Sequence, residues 1–253
     1  QNDADFPLRV PEYFVGLMRQ GDPEDPLLAQ VLSRGVETDS VAGFVADPVG
    51  DRDAIRSSGV LQKYDGRALL LLTGACAVHC RYCFRRHFPY SEQAARGDWT
   101  PIAAQIADLG VDEIILSGGD PLMLSDRRLR DLIDALAPLS SLRRLRVHTR
   151  LPVVLPNRVT DTLLSAFRPL AGRCVWVIHA NHPHEVTAQL GAAVARFKAV
   201  GDTVLNQSVL LKSVNDDADS LETLGKTLFE HGVLPYYLHQ LDPVAGAAHF
   251  EVS

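Results

Sequence analysis

The chain has 253 residues, of which 46% are hydrophobic and 22% are charged, as in an ordinary globular protein. Its net charge of −6 provides no overall basic surface for nucleic acid, and no apolar run approaches the length of a transmembrane helix. Four cysteines without a recognisable secretory signal argue against a disulfide framework, and we expect a cytoplasmic protein.

Residues 1–60 are rich in Pro, Gly and Asp, and we expect them to form an N-terminal extension of short helices and loops. Two short amphipathic stretches, 13–19 and 26–33, are the predicted helices of this extension. The rest of the chain, residues 61–253, is predicted to form one α/β domain.

From about residue 67, apolar runs that are typical of buried strands alternate with stretches of helical periodicity. The predicted strands cover 68–73, 113–117, 145–149, 174–180, 204–210 and 234–239, and the predicted helices cover 100–109, 126–137, 160–167, 188–200 and 219–231. This alternation indicates a parallel sheet covered by helices. Six such units predict an incomplete (β/α)6-type barrel, while a doubly wound open sheet has nearly the same periodicity and stays an alternative.

Three closely spaced cysteines, Cys76, Cys80 and Cys83, follow the first predicted strand in a C-x3-C-x2-C pattern. A 4Fe–4S cluster takes four ligands, so three thiolates on one loop leave one iron open for chemistry. A structural zinc, which needs a fourth Cys or His at a matching distance, and three inert cysteines are the alternatives. Cys174 lies in an apolar run and is predicted to be a core residue.

Polar residues follow almost every predicted strand, and parallel α/β folds bind ligands at the carboxyl ends of their strands. These polar positions are 117–121, 148–150, 179–182 and 206–207, with His239 and Asp242 after the last strand. A turn explains each segment when it is taken alone. Together they predict a ring of polar side chains around one site.

Three further features near the cysteines suggest ligand contacts, each with a plainer alternative. Gly118 and Gly119 lack a Cβ and would allow a ligand close to the backbone, but they also suit a β-to-α turn capped by Asp120. Arg85 and Arg86 have guanidinium groups that bind carboxylates in a bidentate manner, although a solvated basic loop has the same composition. The ring of Tyr82, just before Cys83, suits stacking on an adenine or packing within the loop.

Several motifs that occur in order resemble those of the radical S-adenosylmethionine (SAM) lysine 2,3-aminomutase family. They are the segments 63–67, 76–86, 117–121, 206–210, 214–216, 235–237 and 247–250. The segments 80–90 and 236–239 are most similar to the branch that makes (R)-β-lysine from (S)-α-lysine, which a partner ligase attaches to elongation factor P. The resemblance therefore implies a radical SAM partial barrel and an isomerase activity.

The family resemblance also implies three cofactors and their positions. A 4Fe–4S cluster would be held by Cys76, Cys80 and Cys83, SAM would bind at the open iron, and pyridoxal phosphate (PLP) would complete the set. The residues that the resemblance assigns to SAM or PLP are Tyr82, Gly118, Gly119, Asp120, Lys63, Tyr64, Arg67, Gln207 and His239. His239 stands where the free-lysine mutases carry Tyr, and its role is left open.

For the substrate, the resemblance implies that Arg85 grips the carboxylate of L-lysine and that Asp242 faces its side-chain ammonium. A turn-initiating Asp-Pro is the alternative reading of Asp242. The implied partners are an external electron donor and, through the product, elongation factor P with its ligase. A homo-oligomer is compatible with the sequence.

One element of the family is missing from this sequence, the lysine that holds PLP as a Schiff base. In the family it lies some tens of residues beyond the position of Asp242, and none of the four lysines falls there: Lys63, Lys198, Lys212 and Lys226. We expect either that a C-terminal segment is absent or that this form makes no internal aldimine. The alternative functions are a radical SAM enzyme without PLP, an aminomutase for another amino acid, and a zinc-stabilised module without catalysis.

Overall fold

A computed structural model describes residues 6–57, 59–95 and 97–252. One mixed sheet contains the strands β1 (Ile55–Ser57), β2 (Val60–Tyr64), β3 (Arg67–Leu71), β4 (Glu113–Ser117), β5 (Arg144–Thr149), β6 (Cys174–His179), β7 (Thr203–Val209) and β8 (Leu234–His239). The helices are α1 (Glu12–Val15), α2 (Pro26–Ala29), α3 (Tyr90–Gln93), α4 (Thr100–Leu109), α5 (Asp126–Leu136), α6 (Leu151–Val154), α7 (Asp161–Phe167), α8 (Ala188–Ala199) and α9 (Ala218–Glu230). Short 3₁₀ turns lie at Gly35–Thr38, Arg52–Ala54, Pro121–Met123, Pro156–Arg158, Arg168–Leu170, Pro183–Glu185 and Ala248–Phe250.

The strands lie side by side in chain order, from β1 at one edge to β8 at the other. The pairs β1–β2 and β2–β3 are antiparallel, and every later pair is parallel. A doubly wound sheet reverses its strand order part-way, and this sheet does not, so that alternative is excluded. The two edge strands do not pair with each other, so the sheet is open. The prediction of an incomplete α/β barrel is confirmed.

The register brings the carboxyl ends of the parallel strands to one edge of the sheet. Leu71 is opposite Ser117 between β3 and β4, and His179 is opposite Gln207 between β6 and β7. The loops that follow these strands therefore meet at the same end of the barrel. All six predicted strands and all five predicted helices of the domain are present, with ends that differ by one or two residues.

The helices begin where a side chain satisfies the free amides of the first turn. Thr160, Thr187 and Asp217 accept hydrogen bonds from backbone amides three residues further on, at the starts of α7, α8 and α9. Their apolar faces pack on the outside of the sheet. Trp176 of β6 is fully buried there, stacked 4.1 Å from the ring of Phe197. The inner face of the sheet bears both polar and apolar residues, among them Arg146, Leu69 and Ile115.

Cys174 is buried in the same outer core, 1% exposed, which confirms the prediction of a core residue. Among the described residues, no helix is long and apolar enough to cross a membrane.

The N-terminal extension contains the two predicted helices as single turns, α1 and α2, and it adds strand pairing that the sequence did not predict. The strand β1 and the first residue of β2 belong to this segment and join the sheet at its edge. The extension also lies against the cysteine loop, since the amide of Arg81 donates to the carbonyl of Gln30 at 2.9 Å. Val45 pairs with Val244 in an isolated bridge, which ties the extension to the loop after β8.

Candidate active site

A cavity of about 870 Å³ lies inside the open barrel and continues to the carboxyl ends of its strands. All fourteen residues that the sequence assigned to the site line this one cavity: Cys76, Cys80, Cys83, Tyr82, Arg85, Gly118, Gly119, Asp120, Lys63, Tyr64, Arg67, Gln207, His239 and Asp242. They come from segments up to 179 positions apart (residues 63 to 242). The structure therefore brings these fourteen positions together, whereas Asn181, His182 and Asn206 of the predicted polar ring do not line the cavity. The chemical roles of the fourteen stay predictions.

The cysteine loop connects β3 to α3 and is folded by its own turns. The amide of Cys83 donates to the carbonyl of Cys80 at 3.0 Å, and that of Arg86 donates to the carbonyl of Cys83 at 3.1 Å. Cys76, Cys80 and Cys83 are free thiols that face the cavity. The loop thus presents three sulfurs to one space.

The surroundings of Cys76 and Cys83 disfavour a free thiolate. Burial, followed by the nearby sulfur of Cys80, raises the pKa of Cys83 to about 11. Burial and the other two cysteines likewise raise the pKa of Cys76 far above its usual range. Several soft thiolates held this close suit iron and offer little to a hard cation. In the described part of the chain, no group of three or more His, Cys, Asp or Glu side chains has a geometry that could hold a metal ion. A 4Fe–4S cluster takes one thiolate per iron, so this loop fits a cluster.

Gly118 and Gly119 are required by the backbone of the cysteine loop. A Cβ on Gly118, whose φ is 127°, would lie 2.5 Å from the carbonyl oxygen of Thr73. A Cβ on Gly119 would lie 2.8 Å from the carbonyl carbon of Ala75 and closer to its oxygen. The end of β4 therefore packs directly against the loop, and the amide of Gly119 donates to Thr73 O at 2.6 Å.

The carboxylate of Asp120 is occupied by the protein. It accepts hydrogen bonds from the hydroxyl of Thr149 at 2.7 Å and from the amides of Leu122, Arg150 and Leu151 at 2.8 to 3.0 Å. Burial raises its pKa, which these donors partly offset. Asp120 thus joins the ends of β4 and β5. It also caps the turn Pro121–Met123, as in the plainer alternative given for its side chain.

Tyr82 is buried and makes several contacts with residues outside the cysteine loop. Its ring stacks on that of His179 at 5.6 Å, and its oxygen lies 2.8 Å from His179 Nε2. Burial and the Arg150 cation hold the pKa of His179 well below its usual range, so this imidazole is neutral. Tyr82 therefore packs against the end of β6, and its stacking on an adenine stays a prediction.

Arg85 is held in the cavity by two hydrogen bonds. Its Nε donates to Asp51 Oδ2 at 2.6 Å, and its Nη1 donates to Ser117 Oγ at 2.9 Å. The other oxygen of Asp51 contacts Lys63 Nζ at 2.5 Å. Burial favours a raised pKa for Asp51, but the two cations outweigh it and keep the pKa below the usual range. Asp51 is a site residue that the sequence did not predict.

Asp242 is a half-buried carboxylate in the loop that follows β8. Burial raises its pKa, against the opposing effect of His239 and Lys63. Within the described residues, its side chain makes no hydrogen bond or ion pair, so it is available to a cationic ligand. His239 stacks on Tyr237 with ring centres 5.2 Å apart.

A second group of polar residues also lines the cavity. The guanidinium of Arg67 lies 5.5 Å from the ring centre of Tyr64. Arg146, which the sequence did not predict, donates to Tyr237 Oη at 2.8 Å and to Glu113 at 3.0 Å. His148 Nε2 is buried and has no partner among the described residues. Burial and the nearby arginines lower the pKa of His148 to about 3, so it is neutral.

The sequence resembles those of known proteins over nearly its whole length. Residues 70–179 match the family model of the Radical SAM superfamily. Over 250 residues the chain is 48% identical to the L-lysine 2,3-aminomutase of Escherichia coli K12 and 46% identical to that of Haemophilus influenzae. Both alignments cover 98% of this chain, and they cover 73% and 74% of those relatives. The chain belongs to the lysine 2,3-aminomutase family. It is also 32% identical to the Clostridium subterminale enzyme, over 96% of this chain and 59% of that relative.

Membership of the lysine 2,3-aminomutase family makes the protein an isomerase of the radical SAM type, which uses SAM and an iron–sulfur cluster. One lysine, Lys63, is found among the described residues that line the cavity. Its ammonium is bonded to Asp51 and to the carbonyl of Val49 at 2.7 Å. Lys198 and Lys226 lie on the outer helices α8 and α9.

Proposed function

We propose that this chain is the radical SAM part of an L-lysine 2,3-aminomutase that converts (S)-α-lysine into (R)-β-lysine. The observation that carries the proposal is the single cavity in which the cysteine loop, a buried guanidinium and an unpaired carboxylate meet. The names of the relatives at 48% and 46% identity support L-lysine as the substrate.

The proposed cofactors occupy different parts of the cavity. Cys76, Cys80 and Cys83 would hold the 4Fe–4S cluster, and the end of β4 at Gly118 and Gly119 would contact SAM. PLP would contact Lys63, Tyr64, Arg67, Gln207 and His239. When bound, these groups supply one-electron chemistry for hydrogen removal and a carbonyl partner for the migrating amino group.

The residues of the chain would bind and orient lysine by its two ends. Arg85 is 8% exposed, and a carboxylate that reaches it gains a charge-assisted hydrogen bond in a site of low polarity. Asp51 already neutralises Arg85, so the substrate carboxylate has to share or replace that contact. Asp242 would accept the side-chain ammonium. His148, being neutral, adds no charge that would repel this ammonium.

The use of the product is a separate part of the proposal. We assign the enzyme to the modification of elongation factor P, with a ligase as the next enzyme, because segments 80–90 and 236–239 resemble that branch. The external electron donor follows from the same resemblance, and the proposed cytoplasmic location rests on the cysteine chemistry, which suits a reducing compartment. An assay of the ligase with the purified product tests this part independently of the mutase reaction.

The proposal is tested with the full-length protein purified without oxygen, using two matched cysteine variants. Cys80→Ala removes a proposed cluster ligand, whereas Cys174→Ala removes a buried thiol of the outer core. We expect Cys80→Ala to lose both iron and β-lysine formation with SAM, PLP and a reductant, and Cys174→Ala to keep both. Full turnover by Cys80→Ala would contradict the cluster assignment. SAM cleavage by the wild-type protein without any change of L-lysine, ornithine or glutamate would contradict the aminomutase reaction.

A further inference from the structure

A buried arginine of the predicted polar ring, to which the sequence assigned no role of its own, lies directly against one of the three cysteines. Arg150 follows β5 and is 6% exposed. Its Nη1 donates to Cys80 Sγ at 2.8 Å and to the hydroxyl of Tyr82 at 2.6 Å. The positive end of a fully desolvated guanidinium is thus in contact with a sulfur that the proposed cluster would use.

The other side of the guanidinium is fixed, so it cannot turn away from the sulfur at low cost. Nη2 donates to Glu185 Oε2 at 2.9 Å and to Gln30 Oε1 at 2.7 Å. Glu185 is itself held by the amides of Asn181 and His182, at 3.0 and 3.1 Å. The backbone amide of Arg150 donates to Asp120 at 2.8 Å. Three segments of the chain therefore hold the side chain of Arg150, and a fourth holds its backbone.

A hydrogen bond to a ligating sulfur changes the electron affinity of an iron–sulfur cluster. Reduction adds one electron, from an external one-electron donor, and no bond in the protein forms or breaks. The reduced cluster is more negative than the oxidised one, so a fixed cationic donor stabilises the reduced form more strongly. Burial increases this difference, because little water is present to screen it.

We propose that Arg150 is a positioning residue that raises the reduction potential of the cluster through its hydrogen bond to Cys80 Sγ. This inference rests on the proposed cluster at the three cysteines. It goes beyond support of the loop, because a residue that only supported the fold would change stability and leave the potential of an intact cluster as it was.

The test is a redox titration of the anaerobically reconstituted protein, with dithionite as reductant and with iron content measured in the same samples. In Arg150→Met we expect the ratio of reduced to oxidised cluster at a fixed potential to fall about tenfold, which is about 59 mV for one electron. Arg150→Lys keeps the charge but has one nitrogen for the four groups that the guanidinium contacts, and we expect a smaller fall. Arg158→Met is the control, because Arg158 forms a partly buried ion pair with Asp126 and does not line the cavity that contains the cysteines. We expect its titration curve to match the wild type.

An Arg150→Met protein with full iron content and an unchanged titration curve would overturn the inference. If that variant fails to fold, Arg150→Lys decides, and a curve identical to the wild type overturns the inference in the same way. A wild-type protein that takes up no cluster would instead contradict the proposed function, so the two failures are distinguishable.

Discussion

The close packing of β4 against the cysteine loop predicts that a single methyl group on Gly119 displaces the loop. In Gly119→Ala the new Cβ would lie 2.8 Å from the backbone carbons of Gly74 and Ala75, where an ordinary van der Waals contact begins at 3.4 Å. These neighbours are backbone atoms that cannot rotate aside, so the loop has to move. The movement strains two hydrogen bonds, Gly119 N to Thr73 O at 2.6 Å and Asp120 N to Ala75 O at 2.8 Å.

Overpacking of this kind costs about 1–3 kcal/mol, and two weakened hydrogen bonds add roughly 1–2 kcal/mol. For a chain of this size we expect the thermal midpoint of Gly119→Ala to fall by roughly 5–12 °C. Cys76 follows the displaced residues directly, so we also expect less iron per chain after reconstitution. Differential scanning calorimetry and an iron assay measure the two effects.

The matched control is Gly225→Ala, the same substitution within α9 at a position where the Cβ meets no atom within 4 Å. Glycine loses more conformational entropy than alanine when the helix folds, so this substitution should raise the free energy of unfolding by about 0.5–1 kcal/mol. If Gly119→Ala melts like the wild type and binds as much iron, the packing explanation of the Gly-Gly motif is refuted.

Three further predictions concern charged residues. Arg85→Met should raise the KM for lysine by at least about tenfold, since a charge-assisted hydrogen bond is worth about 1.5–3 kcal/mol; an unchanged KM would exclude Arg85 from carboxylate binding. Asp242 has a raised pKa and must be ionised to accept an ammonium, so lysine affinity should fall as the pH falls through that pKa. Asp242→Asn should bind lysine weakly and without this pH dependence in equilibrium titrations; an unaltered pH profile would contradict the role. Glu37 pairs with the buried Arg81, and this pairing outweighs burial and keeps the Glu37 pKa below its ordinary 4.5. That stability is present above pH 4.5 and is lost as the pH falls through the lowered pKa. Glu37→Gln should therefore unfold about 3–5 kcal/mol more easily at neutral pH and lose less stability on acidification, as urea titrations at several pH values can measure. Equal acid sensitivity of the two proteins would be inconsistent with this linkage.

Much of the barrel was predictable because its strands are buried on at least one face and its helices have amphipathic periodicity. The strand at 174–179, for example, is an almost continuous apolar run that ends at His179. The cysteine spacing and the polar strand ends then indicated the site, because parallel strands bring their carboxyl ends together. The strands β1 and β2 were missed, since they have only three and five residues and mixed polarity.

The residues that hold the site in place could not be predicted in the same way. Asp51 and Glu185 lie in segments without a periodic pattern, and nothing local distinguishes them from surface polar residues. Gln30 lies in the predicted amphipathic stretch 26–33, but it reaches Arg150 across 120 positions of the chain. Such long-range contacts depend on how the segments meet in three dimensions, which no local pattern predicts.

The proposed reaction moves the amino group of lysine from its α-carbon to its β-carbon. The most direct measurement is to incubate the full-length protein without oxygen with SAM, PLP, dithionite and (S)-α-lysine, and to separate the products by chiral chromatography. We expect (R)-β-lysine to appear in wild-type samples and to be absent from Cys80→Ala samples. Lysine that is recovered unchanged from an iron-loaded protein that cleaves SAM would contradict the claim.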